Sequence, residues 1–115
     1  MPQMTRLDTL LRARFFHGLA DLSRLALLEA LREGERSAGD AATAAGLSPS
    51  NASRHLSCLR ECGLIESRQD WRQIYYRLAD GVTELLDAND RFIDGVADRI
   101  AACDRPGQPE GRGRT

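Results

Sequence analysis

The chain contains no lysine, no long apolar run and no excess of positive charge. All 16 of its basic residues are arginine, and 17 acidic residues give a formal net charge of −1. A DNA-binding surface would therefore have to be a local patch of arginines. No apolar stretch is long enough to span a bilayer, and residues 1–12 lack the apolar block of a secretory signal. We therefore expect a cytoplasmic protein with no membrane partner.

Cysteine is scarce and odd in number. With only Cys58, Cys62 and Cys103 and no sign of export, the sequence argues against a disulfide framework and favours reduced thiols or metal binding. The two histidines, His17 and His55, have no nucleophile or base at a recognisable spacing, so we do not expect an enzyme. The 115 residues suffice for one small domain, predicted over residues 1–103. Residues 104–115 are rich in Gly, Pro and Arg, and we predict them to be disordered.

Apolar spacing predicts three helices before residue 46. The first spans Leu7–Leu19, where apolar residues recur at three- and four-residue steps. Asp21 is expected to cap the second helix and Gly34 to end it. Three leucines are assigned to the inner face of this second helix: Leu25, Leu28 and Leu31. The third helix begins at Ser37 and runs to about Ala45.

The next segment has the features of a helix-turn-helix. Gly46 suits the left-handed residue that ends a helix, Ser48 can cap the following helix and Pro49 fits its first turn. Two short segments rich in Ile and Tyr, Leu64–Arg68 and Gln73–Leu78, are predicted to form a β-hairpin across a polar connection at 69–72. This hairpin would be the wing of a winged helix-turn-helix.

A long C-terminal helix is predicted from Val82 to about Ala102. Its apolar residues form one stripe, which a single exposed helix cannot bury. Packing this helix and the first helix against a second copy would give a homodimer, which also suits a reader of palindromic DNA. The predicted fold is mainly α with a small β-hairpin, a winged helix-turn-helix that dimerises through its N- and C-terminal helices.

The fourth helix, after Pro49, has two sides and a flank. Steps of about 100° per residue place one set inward: Ala52, Leu56, Leu59 and Gly63. The opposite set faces outward: Ser50, Ser53, Arg54, Ser57 and Glu61. Cys58 and Cys62 fall on the flank between these sets, together with Asn51 and His55. Because residues four apart on a helix have Cβ atoms roughly 5–6 Å apart, the two thiolates can converge on one metal ion. The alternative is that both cysteines are small side chains at the rim of the core.

These motifs resemble the ArsR/SmtB family of metal-responsive winged-helix repressors, over nearly everything from the first helix to Ile100. Several segments follow the family pattern in order and spacing: Gly18-Leu19-Ala20-Asp21 leading to Arg24-Leu25, Gly46-Leu47-Ser48-Pro49-Ser50, Ser53-Arg54-His55-Leu56, Leu59-Arg60, Cys62-Gly63-Leu64-Ile65 and Tyr75-Tyr76-Arg77-Leu78. The resemblance implies a homodimer that binds double-stranded operator DNA and is released by a metal ion. One departure is Trp71, which replaces the glycine usual at the wing tip and could contact DNA or pack under the wing.

The positions of the cysteines favour one branch of that family. The third helix has no Cys, the C-terminal helix no His and the N-terminal segment no Cys, so the arsenic-type, zinc-type and CadC-type patterns are absent. What remains resembles the CmtR-type cadmium and lead sensors, which implies Cys58, Cys62 and Cys103 as ligands. No resident cofactor is required. Soft thiolates favour Cd2+ or Pb2+ as the effector, with Hg2+, As3+ or Zn2+ as alternatives. His55 could be a fourth ligand or a structural residue, and either subunit could supply Cys103.

On the DNA side, four residues of the fourth helix are expected to reach base edges or adjacent phosphates: Ser50, Asn51, Ser53 and Arg54. The wing arginines Arg68 and Arg72 are expected to contact phosphates. For each arginine the alternative is a solvated surface charge.

Two other functions stay open on the same scaffold. In the first, Cys58 and Cys62 form a thiol redox switch that changes DNA affinity, although a helical pair at this spacing suits a shared metal more readily than an unstrained disulfide. In the second, the winged helix is used only for protein contacts. Binding to operator DNA separates the second from the others.

Overall fold

The computed structural model describes residues 6–103, which divide into two compact units between residues 80 and 81. The elements of the first unit are, in order, α1 (Arg6–Leu19), α2 (Leu22–Ala30), β1 (Arg36–Ser37), α3 (Ala38–Ala45), α4 (Pro49–Glu61), β2 (Ile65–Asp70) and β3 (Gln73–Leu78). The second unit contains α5 (Val82–Ala102). One domain over residues 1–103 stays a prediction, and the tail at 104–115 lies outside the described residues.

Side-chain caps begin three helices where the sequence places them. The Asp21 carboxylate accepts a hydrogen bond from the backbone N–H of Arg24 at 2.9 Å, at the start of α2. The hydroxyls of Ser37 and Ser48 do the same for α3 and α4. Each cap satisfies a backbone donor that the first helical turn leaves without an intrahelical acceptor. The predicted starts are confirmed, whereas α2 ends at Ala30, before the expected Gly34.

The core of the first unit is built from side chains that are less than 2% exposed: Leu27, Leu28, Leu31, Leu56, Leu59 and Ile65. The inward positions predicted for Leu28 and Leu31 are confirmed. The assignment of Leu25 is wrong, because its side chain is 38% exposed and Leu27 is buried instead. Since α2 packs against both α3 and α4, its buried side is set by two neighbours rather than by one evenly spaced stripe.

Left-handed glycines end both helices of the helix-turn-helix. Gly46, with φ of 73°, donates its N–H to Thr43, and Leu47 donates to Ala42 at 2.9 Å. These two bonds satisfy the last carbonyls of α3 and turn the chain into α4. Gly63, with φ of 82°, ends α4 by the same arrangement. The turn predicted at Gly46 is therefore confirmed.

The sheet has three antiparallel strands in the order β1-β3-β2. The bounds predicted for β3 are confirmed, but β2 runs two residues beyond Arg68, since Asp70 still pairs with Gln73. The connection therefore shrinks to Trp71 and Arg72, and Trp71 adopts φ of 60°, as two-residue hairpin turns require. The sequence did not predict β1, because two residues are too few to form a recognisable alternation.

The long helix α5, described by itself, is amphipathic but interrupted. Val82 and Leu86 are buried, whereas Phe92, Ile93 and Ile100 are exposed. The helical dihedral angles break at Val96, with φ of −126° and ψ of 16°. The adjacent Gly95 is a poor helix former and gives a local reason for the break. No helix among the described residues is long and apolar enough to cross a membrane.

Candidate functional site

The first two turns of α4 carry the four residues predicted to contact DNA, which we call the candidate DNA face: Ser50, Asn51, Ser53 and Arg54. Ser50, Ser53 and Arg54 are exposed and Asn51 is half-buried. The Arg54 guanidinium donates to the Asn51 side-chain oxygen at 2.7 Å. This bond fixes the direction of both side chains before any contact with DNA, which lowers the conformational entropy lost on binding.

The two wing arginines have different surroundings. Arg68 donates through Nε and an Nη to the two carboxylate oxygens of Glu35, both at 2.8 Å, and its guanidinium lies 4.6 Å from the centre of the Tyr75 ring. Its charge is therefore already compensated. Arg72 lies 4.6 Å from the centre of the Trp71 ring at the tip of the hairpin. Trp71 itself is 80% exposed, so it does not pack under the wing.

Cys58 and Cys62 form the second part of the site. Both are free thiols; Cys58 is half-buried and Cys62 is exposed at the C-cap of α4. The backbone N–H of Cys62 still donates to the carbonyl of Cys58 at 3.0 Å, and both cysteines line the same small cavity. The predicted helical neighbourhood of the pair is therefore present. Either sulfur can serve as a soft ligand once it loses its proton.

The electrostatics of the pair are mixed. Partial burial, followed by the neighbouring Cys58, raises the pKa of Cys62, while the guanidinium of Arg24 acts in the opposite direction. A thiol with a raised pKa is less often ionised, and oxidants react with the thiolate. A metal ion that binds Cys62 would have to displace its proton.

A small cavity of about 40 Å³ adjoins the thiol pair, between α1, α2 and α4. Phe15 and Gly18 of α1 and Leu59 of α4 line it together with both cysteines. Arg24 of α2 also lines it and is held by its neighbours: one Nη donates to the carbonyl of Gly18 at 3.1 Å, and the other lies 3.7 Å from the Asp21 carboxylate. The buried Nε of Arg24 has no hydrogen-bond partner in the described part of the chain.

His55, which the sequence offered as a fourth ligand or a structural residue, lies within electrostatic reach of Asp21. The backbone hydrogen bond from Arg24 is the main cause that lowers the pKa of Asp21, partial desolvation opposes it, and the charges of Arg24 and His55 add to the lowering. The ligand role of His55 stays a prediction.

Cys103 caps the C-terminal end of α5 and is exposed. It belongs to the second unit of the chain, whereas Cys58 and Cys62 belong to the first. Within residues 6–103, no three His, Cys, Asp or Glu side chains are grouped to hold a metal ion. The three-cysteine ligand set therefore stays a prediction.

Sequence reasoning missed three features of the site. The sequence did not indicate that Glu35 pairs with Arg68, because the two residues lie 33 positions apart. Gly18 and Arg24 stand in the segments that resemble the ArsR/SmtB pattern, yet their place at the cavity depends on how α1 and α2 pack beside α4. Phe15 lies in the first helix, for which the sequence predicted only that apolar residues recur at three- and four-residue steps.

Comparisons with known proteins agree with this architecture. The family model described as "Bacterial regulatory protein, arsR family" matches residues 21–67. The chain is 39% identical over 104 residues to the probable mercury resistance operon repressor of Streptomyces lividans, a match that covers 87% of this chain and 82% of that protein. The chain belongs to the arsR family. The family resemblance seen in the sequence is thereby confirmed.

Two further arsR-type comparisons concern the DNA-binding fold. The chain is 47% identical over 68 residues to the HTH-type transcriptional regulator CmtR of Mycobacterium tuberculosis, covering 59% of this chain and 58% of that protein. A solution structure of the homodimeric winged helix-turn-helix DNA-binding domain Mb0332 from Mycobacterium bovis matches with a TM-score of 0.68 and 31% identity, covering 90% of this chain and 97% of that one. The fold of this arsR member is a winged helix-turn-helix.

Proposed function

We propose that this arsR-family chain is a cytoplasmic transcriptional repressor that binds operator DNA as a homodimer and leaves it when a thiophilic metal ion binds. The ion we assign is cadmium or lead, held by Cys58, Cys62 and Cys103. One observation carries the proposal: Cys58 and Cys62 line one cavity on the flank of α4, the helix that presents the candidate DNA face. A ligand at the pair therefore acts on the element that would read DNA.

DNA binding by the candidate DNA face is supported by its composition. Hydroxyl, amide and guanidinium groups are the side chains that contact base edges and phosphates in a major groove, and α4 follows the tight turn typical of recognition helices. On the wing, Arg72 is the stronger candidate for a phosphate contact, because Glu35 already compensates the charge of Arg68. The relatives named above are regulators rather than enzymes, which also favours a regulatory role.

The homodimer is supported by apolar side chains that the single chain leaves exposed. On α1 these are Leu10, Leu11 and Phe16, and on α5 they are Phe92, Ile93 and Ile100. Unpaired apolar surface of this kind marks association sites. The relative Mb0332 is described as homodimeric. Analytical ultracentrifugation of the full chain should therefore give twice the monomer mass, and Phe92→Asp should shift it toward the monomer.

Metal release of DNA needs only a modest energetic coupling. Three thiolates form a soft ligand set that prefers large thiophilic ions over magnesium or calcium. Cys103 would tie the end of α5 to the flank of α4, and the bound conformation need differ in DNA affinity by only about 1–3 kcal/mol, which gives about a 5–150-fold response. The same relation requires that DNA weaken metal binding by the same factor.

The test uses the full chain and a duplex selected by the protein from a random-sequence pool. Titration of this duplex with saturating cadmium or lead should lower its affinity, and thiolate-to-metal absorption should appear in the ultraviolet. Each change of Cys58, Cys62 or Cys103 to Ser should abolish both effects and leave metal-free DNA binding intact. An affinity that cadmium and lead do not alter would refute the proposal. The redox alternative predicts instead that mild peroxide lowers DNA affinity without metal.

A further inference from the structure

The tip of the wing is a two-residue loop made of Trp71 and Arg72, between the paired residues Asp70 and Gln73. Trp71 is the only tryptophan of the chain, and it is 80% exposed. Among the described residues it is also the only one other than glycine with a positive φ, at 60°. A glycine would hold this conformation without strain. The wing therefore keeps a large apolar ring in solvent although neither packing nor backbone geometry favours it there.

Two neighbouring side chains hold the tip in one arrangement. The side-chain amide of Gln69 donates a hydrogen bond to the carbonyl oxygen of Trp71 at 3.1 Å. The guanidinium carbon of Arg72 lies 4.6 Å from the centre of the Trp71 ring, within the range of a cation–π contact. The ring and the guanidinium therefore project together, which lowers the conformational entropy that they would lose on binding.

The tip combines this ring with a positive charge. Within residues 6–103, Arg72 forms no ion pair with a carboxylate, whereas the adjacent Asp70 lies 3.8 Å from the guanidinium of Arg68. An apolar pocket on a protein partner would have to desolvate the charge of Arg72. A nucleic acid offers bases for the ring and phosphates for the guanidinium. The chemistry of the tip therefore favours DNA.

The wing lies next to the helix that carries the candidate DNA face. β2 packs against α4, and Arg60 of α4 donates a hydrogen bond to the hydroxyl of Ser67 in β2 at 3.3 Å. With α4 in a major groove, a hairpin at its side would cross the phosphate backbone toward the adjacent minor groove. That groove is about 6 Å wide, which admits an aromatic ring presented edge-on. Many proteins that bind there insert apolar side chains between base pairs and kink the duplex.

We propose that Trp71 enters the minor groove beside the site read by α4 and partly unstacks one base step, while Arg72 contacts a flanking phosphate. Pyrimidine–purine steps are the easiest to unstack, so the ring selects such a step without a hydrogen bond to any base. This inference rests on the proposed function only in taking α4 as the DNA-reading helix, and it involves neither the effector ion nor the cysteines. Trp71 is thus a specificity-determining residue that lies outside the candidate DNA face.

The first test uses the fluorescence of Trp71, which reports on the wing tip alone because the chain has no other tryptophan. Adding the selected duplex to the metal-free full chain should quench this emission and protect the ring from acrylamide, a neutral quencher. The anisotropy of a dye on the duplex shows independently that the complex has formed. Unchanged emission and unchanged access of acrylamide in that complex would overturn the inference.

The second test removes the ring. Trp71→Gly suits the positive φ, so this variant should melt no lower than the wild type. It should nevertheless bind the selected duplex at least about fivefold more weakly, the factor that corresponds to about 1 kcal/mol, the low end for stacking an aromatic ring on a base. Trp71→Phe keeps a ring and should recover most of the affinity. Leu22→Ala is the control, because Leu22 is 78% exposed at the start of α2. Equal affinities of Trp71→Gly and Leu22→Ala would overturn the inference.

The third test separates the wing from α4 by selection from a pool of duplexes that are randomised beside the selected site. The wild type should enrich a pyrimidine–purine step at one flanking position. Trp71→Gly should lose this preference and keep the sequence preferences within the site. Energy transfer between dyes at the two ends of the duplex should also report a smaller bend for Trp71→Gly. A flanking preference and a bend that persist in Trp71→Gly would overturn the inference.

The inference and the proposed function fail in distinguishable ways. A chain that selects no duplex would overturn both. Release of the selected duplex by cadmium, with equal affinities of wild type and Trp71→Gly, would overturn this inference alone. Recognition that depends on Trp71 but does not respond to cadmium or lead would support this inference and overturn the metal response alone.

Discussion

The guanidinium of Arg68 on β2 is paired at two points with the carboxylate of Glu35, which precedes β1. Both N···O distances are 2.8 Å. Two parallel hydrogen bonds make this geometry the stronger kind of surface ion pair. The pair ties the wing to the segment that leads into the helix-turn-helix, and it opposes contact between Arg68 and a phosphate.

Glu35→Gln should release Arg68 and strengthen DNA binding. With the Glu35 charge removed, Arg68 keeps only Asp70 at 3.8 Å on the exposed wing. Its guanidinium can then neutralise one more phosphate, so the slope of log affinity against log salt should steepen by about one. Filter binding or fluorescence anisotropy over a salt series measures this slope. Glu33→Gln is the control, because Glu33 is a neighbouring exposed acid that pairs with Arg36 instead. Equal slopes for the two variants would show that Arg68 does not reach DNA.

The same ion pair should make the stability of the wing depend on pH. The hydrogen bond from Arg68 lowers the pKa of Glu35 below its ordinary value of 4.5. A carboxylate with a lowered folded pKa stabilises the protein above its unfolded pKa, and this contribution is lost as pH falls through the folded value. The melting temperature of the wild type should therefore exceed that of Glu35→Gln at pH 7, and the difference should shrink as the pH falls below 4.5. Calorimetry at several pH values measures the difference; a difference that persists at the lowest pH would contradict the assignment.

Arg54→Ala should weaken binding to the selected duplex far more than binding to unrelated DNA. If Arg54 reads a base edge, its removal costs about 1–3 kcal/mol of sequence discrimination. The ratio of specific to non-specific affinity at fixed salt is the measurement. Arg91→Ala removes the same charge from the exposed surface of α5 and should leave that ratio unchanged. An equal loss of affinity for both DNAs would mean that Arg54 contacts phosphate and not a base edge.

Two leucines should differ sharply in how much each contributes to the free energy of unfolding. Leu56 is fully buried, whereas Leu22 is 78% exposed. Leu56→Ala leaves a cavity and should lower the free energy of unfolding by about 2–5 kcal/mol, while Leu22→Ala should change it by less than about 0.5 kcal/mol. Urea unfolding of both variants measures the difference. Similar losses would mean that the α2 and α4 core is assigned wrongly.

Two glycines should respond to alanine with opposite signs. Gly46 has φ of 73° in the turn between α3 and α4, a conformation that costs an L-residue about 1–2 kcal/mol. Gly39 lies inside α3, and a Cβ added there would meet open space. Alanine at this position should raise the free energy of unfolding by up to about 1 kcal/mol. Thermal melting should therefore fall for Gly46→Ala and rise for Gly39→Ala. A rise for both would contradict the left-handed turn.

Local signals predicted most of the elements correctly. The caps at Asp21, Ser37 and Ser48 and the glycine at 46 were readable because a capping bond or a left-handed turn is made within a few residues of its own position. The length of the hairpin connection was not readable, because strand pairing continues through Gln69 and Asp70 although both are polar. The burial of Leu27 rather than Leu25 likewise depended on which helices pack against α2.

The sequence by itself determined the helix-turn-helix, the two sides of α4 and the adjacency of Cys58 and Cys62, since each depends on dihedral angles and spacings within one segment. Only the tertiary structure decided that Glu35 forms an ion pair with Arg68. It also decided that Arg24, Phe15 and Gly18 line a cavity beside the two thiols. Those relations join residues that are distant along the chain. They arise from the packing of whole helices and strands, which no local pattern encodes.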